Sequence, residues 1–208
     1  MRQPSDPQAI LGLAFLALLA GCTAAPDERS ATAYNNEEIG IQFDYPDGWR
    51  QLKPSELPAG KESLVTIEDS SGVAQVSLVE FDLQAVLGTI DTRLMLEMAG
   101  EGNVQRALAL FVQLNSSFED AFERRYERYQ LLEREWVRAL QGQRAVASEL
   151  VFKGQLPGEP MMWRKAVIIL KVGQEDKGFI MAYAVPSLLL DEHRAAFQFI
   201  EDSWRAID

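Results

Sequence analysis

The sequence predicts an α+β domain in which a mainly antiparallel β-sheet is flanked by α-helices. Three observations carry that prediction. Early segments place apolar residues at every second position, the middle of the chain switches to three- and four-residue spacing, and strand-like apolar runs return before a last amphipathic stretch. Strands, inserted helices, three or four further strands and a closing helix give an α/β/α sandwich.

Ile39, Ile41, Phe43 and Tyr45 alternate with small or polar residues, which predicts a strand with one buried face. Pro46-Asp47-Gly48 supplies turn chemistry, and Trp49 opens a short extended piece to about Leu52, giving an expected hairpin. Leu64 to Glu68 and Val73 to Phe81 read as strands joined by the turn residues Asp69-Ser70-Ser71-Gly72, so the start of the domain is expected to be a β-meander. Leu83, Val86, Leu87, Ile90, Leu94 and Met98 then recur at helical spacing until Gly100. A second helix is expected over Val104 to Leu114, and Phe118, Phe122 and Tyr126 carry the same spacing toward Arg128.

Tyr129 to Val137 is ambiguous between helix and strand. Leu132 and Trp136 ahead of Gln141-Gly142-Gln143 favour a hairpin whose return strand is Ala145 to Lys153. Trp163 to Val172 and Phe179 to Val185 are apolar on successive residues, as in central strands covered on both faces, with Gln174 to Gly178 as the polar turn between them. Over Asp191 to Ala206 the residues Phe197, Ile200 and Trp204, continued by Ile207, mark one face of a terminal helix that packs on the sheet.

The amino terminus reads separately. Arg2 precedes an apolar run from Ala9 to Ala20 that is too short to span a bilayer. The run ends in Leu19-Ala20-Gly21-Cys22, which resembles the lipobox of bacterial lipoproteins and contains the chain's single cysteine. That resemblance implies cleavage before Cys22, with a covalent diacylglycerol and fatty acyl (palmitate-type) anchor on that residue. Two or three acyl chains hold a protein durably at a membrane, at about 0.8 kcal/mol per buried methylene. Thr23, where an Asp would signal retention, implies the periplasmic face of the outer membrane if the host has one. Residues 1–21 are thus expected to be a signal peptide, residues 22–36 a flexible tether rich in Ala, Ser, Thr, Asn and charge, and residues 37–208 the globular domain.

Two stretches of the domain carry a further likeness. Gly40-Ile41-Gln42-Phe43-Asp44-Tyr45-Pro46-Asp47-Gly48-Trp49 is similar to the opening of PsbP-like domains, and Phe199-Ile200-Glu201-Asp202-Ser203-Trp204 is similar to their closing helix. The likeness spans roughly Ile39 to Ile207, although the helical middle from Leu83 to Arg128 looks longer than the family usually carries. PsbP-like and DcrB-like domains imply a binding or assembly role in the cell envelope or beside a photosystem, with no enzyme activity and no cofactor. An envelope protein partner is what that resemblance implies.

The residues independently disfavour several chemistries. His193 is the only histidine and lies among charges at the start of the terminal helix, which leaves metal clusters and Ser-His-Asp constellations little to work with. Its plain reading is an exposed or helix-end residue. Gly100-Glu101-Gly102 lacks both the third glycine and the preceding strand of a dinucleotide fingerprint. A net charge of −11 disfavours nucleic acid and anionic lipid surfaces.

Against that acidic balance, Arg124, Arg125 and Arg128 cluster with Tyr126, Tyr129 and Trp136. The cluster is either a solvated helix face or a partner-docking surface. Three functions stay open: a lipid-anchored interaction or assembly module as the leading expectation, a carrier or holdase holding an apolar peptide or lipid in a groove, and an enzyme of unrecognised type.

Overall fold

The computed structural model describes residues 30–57, 63–87, 104–140, 145–171 and 177–207. Its strands are β1 (Ala31–Asn36), β2 (Ile41–Pro46), β3 (Arg50–Gln51), β4 (Val65–Glu68), β5 (Gln75–Asp82), β6 (Glu127–Leu140), β7 (Ala145–Gln155), β8 (Met162–Lys171), β9 (Lys177–Pro186) and β10 (Arg205–Ala206). The helices are α1 (Leu83–Leu87), α2 (Val104–Arg125) and α3 (Leu190–Ser203). Seven strands form one sheet in the order β3-β4-β5-β9-β8-β7-β6, and a small sheet has the order β1-β2-β10. Every pairing is antiparallel. The fold is the expected α+β arrangement.

The two faces of the large sheet bury different partners. Val76, Leu78, Val167, Ile169, Met181 and Tyr183 point to one side, where they share a core with Ile41, Phe43 and Tyr45 of β2 and with Phe197 and Ile200 of α3. Leu150, Ile168 and Leu170 alternate to the other side and pack with Leu83 of α1 and with Phe111 and Leu114 of α2. The alternation of β8 therefore feeds two cores at once.

The opening and closing motifs meet in space. Ser203 Oγ accepts the Asp44 amide at 2.8 Å and shares its proton between the carbonyls of Asp44 and Ile200, fastening the end of α3 to β2. Trp49 meets Phe197 edge-on at 6.0 Å, Trp163 stacks on the same ring at 5.8 Å, and Tyr183 meets it edge-on at 5.4 Å. These residues hold the architecture together. At Gly40, φ is +61° and the buried Lys171 ammonium donates to the carbonyls of Ile39 and Gly40 at 2.8 and 2.9 Å. A Cβ there would lie 2.3 Å from that ammonium, so the turn between β1 and β2 needs glycine on both counts.

The structure corrects the sequence reading in five places. Ala31 to Asn36, expected to belong to a tether, form β1, so the folded domain begins earlier than residue 37. The strand pieces on either side of Pro46-Asp47-Gly48 do not form a hairpin, because β2 joins the small sheet while β3 pairs with β4 in the large one. The helical character expected toward Arg128 ends at Arg125, and Tyr129 to Val137, where the sequence favours a strand, lies in β6, a strand of 14 residues carrying three register shifts against β7. The terminal helix stops at Ser203, since Arg205 and Ala206 pair with β2 instead. Gly178 belongs to β9 rather than to a turn, and the Phe81 ring occupies the space its missing side chain leaves.

Helical character at Leu83 is present in α1, while residues 88–100 lie outside the described residues, as do the turn expected at 141–143, residues 1–21, where a signal peptide is expected, and Cys22. Among the described residues, no helix is long and apolar enough to cross a membrane.

Candidate functional site

On the helical face of the large sheet the side chains become small beside the end of α2. Ser77 of β5 pairs with Ala182 of β9, and Ala182 pairs with Ala166 of β8. Ala184 takes the neighbouring position between Gln75 and Arg164. Alanine side chains stop at Cβ, so the sheet surface is low where its neighbours are Ile180 and Phe152. The result is a groove of about 420 Å³, floored by Ala166, Ala182 and Ala184 and walled by Phe122, Tyr126 and Phe152. Small residues in the strands and large rings on the helix make the concavity together.

The helical spacing seen in the sequence builds that wall. Phe118, Phe122 and Tyr126 run along one side of α2 and its end. Phe118 meets Phe81 edge-on at 5.1 Å, Phe122 stacks on Phe152 at 4.9 Å, and Tyr126 tilts against Phe152 at 5.4 Å. Gly154 of β7 lets Tyr126 approach, since a Cβ there would lie 2.9 Å from the tyrosine Cβ.

One end of the groove carries charge. The Arg164 guanidinium lies over the Tyr126 ring, 4.6 Å from its centroid, and its Nη2 donates to Glu159 Oε2 at 2.8 Å. Its Nε is buried and has no hydrogen-bond partner among the described residues. Arg125 and Glu159 also line the groove. On the opposite face of the sheet Lys165 lies between Glu149 and Glu201, at 2.7 and 2.6 Å. Burial disfavours that ammonium, but the two carboxylates outweigh it and hold the lysine pKa above its ordinary value.

The predicted arginine-aromatic cluster is divided by the fold. Arg125 and Tyr126 line the groove, and Arg124 and Arg128 are exposed. Arg128 has φ +51° at the irregular start of β6, a left-handed conformation uncommon for a residue with a Cβ. Tyr129 is half-buried, with its ring 5.2 Å from Phe152 and its hydroxyl buried without a hydrogen-bond partner among the described residues. Burial, reinforced by the Glu119 charge, pushes its pKa up to about 12. Trp136 lies in β6, and its side chain is outside the described residues. Arg134 of β6 reaches back to Glu119 of α2 in an ion pair.

His193 lies in the first turn of α3, as expected of a helix-end residue, but it is half-buried rather than exposed. Its Nδ1 lies 3.0 Å from the Leu189 carbonyl and its Nε2 lies 3.4 Å from Asp69 Oδ2, so it joins α3 to the turn between β4 and β5. Among the described residues no three His, Cys, Asp or Glu side chains converge where they could hold a metal ion.

Sequence reasoning missed the groove floor and Arg164. Ala166, Ala182 and Ala184 sit inside apolar runs and read as ordinary central-strand residues covered on both sides. The available signal was the alternation of alanine with large residues in Ala182-Tyr183-Ala184-Val185, which leaves one face of β9 without bulk.

This architecture, with its mostly antiparallel sheet and flanking helices, is a PsbP-like fold. The solution structure of cyanobacterial PsbP (CyanoP) from Synechocystis sp. PCC 6803 superposes with a TM-score of 0.52 at 16% sequence identity, over 90% of this chain and 99% of that one. LpqN of Mycobacterium tuberculosis, described as involved in cell envelope biogenesis, superposes with a TM-score of 0.55 at 12% identity, over 88% of each chain. At such identities the likeness is one of fold. No protein-family model and no curated protein sequence matches this chain.

Proposed function

We propose that this chain is an exported, lipid-anchored protein of the bacterial envelope that acts without catalysis, as a carrier holding an apolar ligand in the groove beside α2. The observation that carries this reading is the groove itself. Its volume of about 420 Å³ and its alanine floor under aromatic walls match the concave, mostly apolar character of small-molecule sites. The lipobox-like Leu19-Ala20-Gly21-Cys22 supports the anchor, and a fold shared with an envelope-biogenesis protein supports the compartment. An interaction module built on the arginine-aromatic cluster has less support, because Tyr126 and Tyr129 are committed to Phe152.

Two readouts in the producing cell test the proposal. A clickable fatty acid labels the wild-type chain and fails to label Cys22→Ala. A photo-crosslinking residue at Val79 or Ala182 in the groove captures one discrete ligand, whereas the same residue at exposed Leu188 does not. Capture only from Leu188 or Arg124 moves the function to the outer surface and ends the carrier reading.

A further inference from the structure

The groove's chemistry narrows its ligand, on the reading that the groove is the binding site. Its floor strands β5, β9 and β8 each have a neighbour on both sides within the seven-stranded sheet. Their amides and carbonyls serve the ladder, so a peptide laid along the floor finds no backbone partners and has to desolvate its own polar groups. The polar side chains of the lining are occupied too. Ser77 Oγ is 2.9 Å from Thr66 Oγ1, and Gln75 Nε2 donates to Glu68 Oε2 at 3.4 Å. An unbranched alkyl chain asks for none of these bonds.

The charged end asks for one anion. Arg164 gives one Nη2 proton to Glu159 and keeps a buried Nε–H that no acceptor among the described residues reaches. Its guanidinium lies over the Tyr126 ring, and its planar fork of N–H donors matches a planar carboxylate. Arg125 adds a second cation to the lining, while Glu159 stands beside Arg164 and penalises a second negative charge on the ligand. A singly charged head is favoured over a phosphate dianion. The arginines also stand out against a chain whose net charge is −11.

We propose that the groove binds a long-chain carboxylate, with its alkyl chain along Ala166, Ala182 and Ala184 and its head on the Arg164 guanidinium. The full chain carrying Cys22→Ala, which removes the covalent acyl group, is titrated calorimetrically with dodecanoate, dodecanol, dodecyl phosphate and an apolar heptapeptide, each alkyl ligand below its micelle concentration. Dodecanoate is expected to bind one to one and at least about tenfold more tightly than dodecanol, a gap of the size one charge-assisted hydrogen bond gives. Affinity rises by up to about fourfold per methylene from octanoate to dodecanoate. Arg164→Gln lowers dodecanoate to the level of dodecanol, and Ala182→Leu, which fills the floor, removes both. Where Arg164→Gln does not fold, Arg125→Gln carries the same test, weakening dodecanoate and leaving dodecanol unchanged.

Equal binding of dodecanoate and dodecanol, or tighter binding of the phosphate, overturns the carboxylate assignment and leaves the groove a carrier site. Binding of the peptide alone overturns the alkyl ligand with the same consequence. No binding of any probe removes both this inference and the carrier reading.

Discussion

Asp69 Oδ1 accepts the amides of Val73 and Ala74 at 2.9 and 3.0 Å, while Oδ2 takes the Ser71 hydroxyl and faces His193 of α3. Burial pushes this carboxyl up, but the hydrogen bonds from Ser71, the Ala74 amide and His193 outweigh it and hold its pKa below the ordinary range. A depressed folded pKa gives stability that is present above about pH 4 and is lost as pH falls through the folded value. Asp69→Asn is therefore expected to lower the melting temperature at pH 7 and to flatten its fall between about pH 5 and pH 2; an unchanged acid limb would show that other carboxylates carry it. Lys165 has the opposite sign. Its raised pKa gives stability that is full below about pH 10 and is lost as pH rises through the folded value. Lys165→Met leaves Glu149 and Glu201 facing each other without the ammonium between them, at an expected cost of roughly 3 kcal/mol in urea unfolding. Adding Glu149→Gln and Glu201→Gln should restore a good part of that loss, because the repulsion between the two carboxylates is what the single change exposes.

The junction of α2 with β6 and β7 shows how one missing methyl positions a whole element. Gly154 leaves room for Tyr126, whose Cβ is fixed to the backbone and cannot swing aside. Gly154→Ala is expected to shift the end of α2, cost about 1 to 3 kcal/mol in urea unfolding and reduce the near-ultraviolet signal of the Tyr126–Phe152 contact. If stability and signal both stay at wild-type values, the close approach does not position the helix. At this scale the sequence was readable wherever a pattern was strong. The alternation in β2 and β5 and the three aromatics on α2 gave elements within a few residues of those observed. The start of β6 was not readable, because Arg128 is left-handed and three register shifts interrupt the period of two. The groove was hidden for a different reason: alanine is apolar enough to continue a strand pattern and too small to fill the layer above it. A sequence reports the hydrophobicity of Ala166 and Ala182 directly, while the depth they create depends on which large side chains stand around them.

At the scale of the whole molecule, the acidic balance and the two-faced sheet were legible from composition and order, but the edge of the domain was not. Ala31-Thr32-Ala33-Tyr34-Asn35-Asn36 reads as tether because only Tyr34 is large and apolar. As the outer strand of the small sheet, β1 needs only that one inward residue, and its other side chains are exposed or half-buried. Tyr34 is buried 4.9 Å from the Phe43 ring, and its hydroxyl accepts a hydrogen bond from Asn36 Nδ2 at 3.2 Å. β1 pairs with β2 from Ala31 opposite Pro46 to Asn36 opposite Ile41, and Ala31–Asp208 close into one compact unit. A chain starting at Ala31 should therefore melt cooperatively, at the temperature of the Cys22→Ala chain. One starting at Glu37 loses the burial of Tyr34, worth about 2 kcal/mol, together with the backbone bonds that cover β2, and should melt several degrees lower. It also exposes the β2 edge, so it should associate at concentrations where the longer chain stays monomeric in size-exclusion chromatography. Equal melting temperatures for the two chains would return β1 to the tether and move the start of the folded domain back to residue 37.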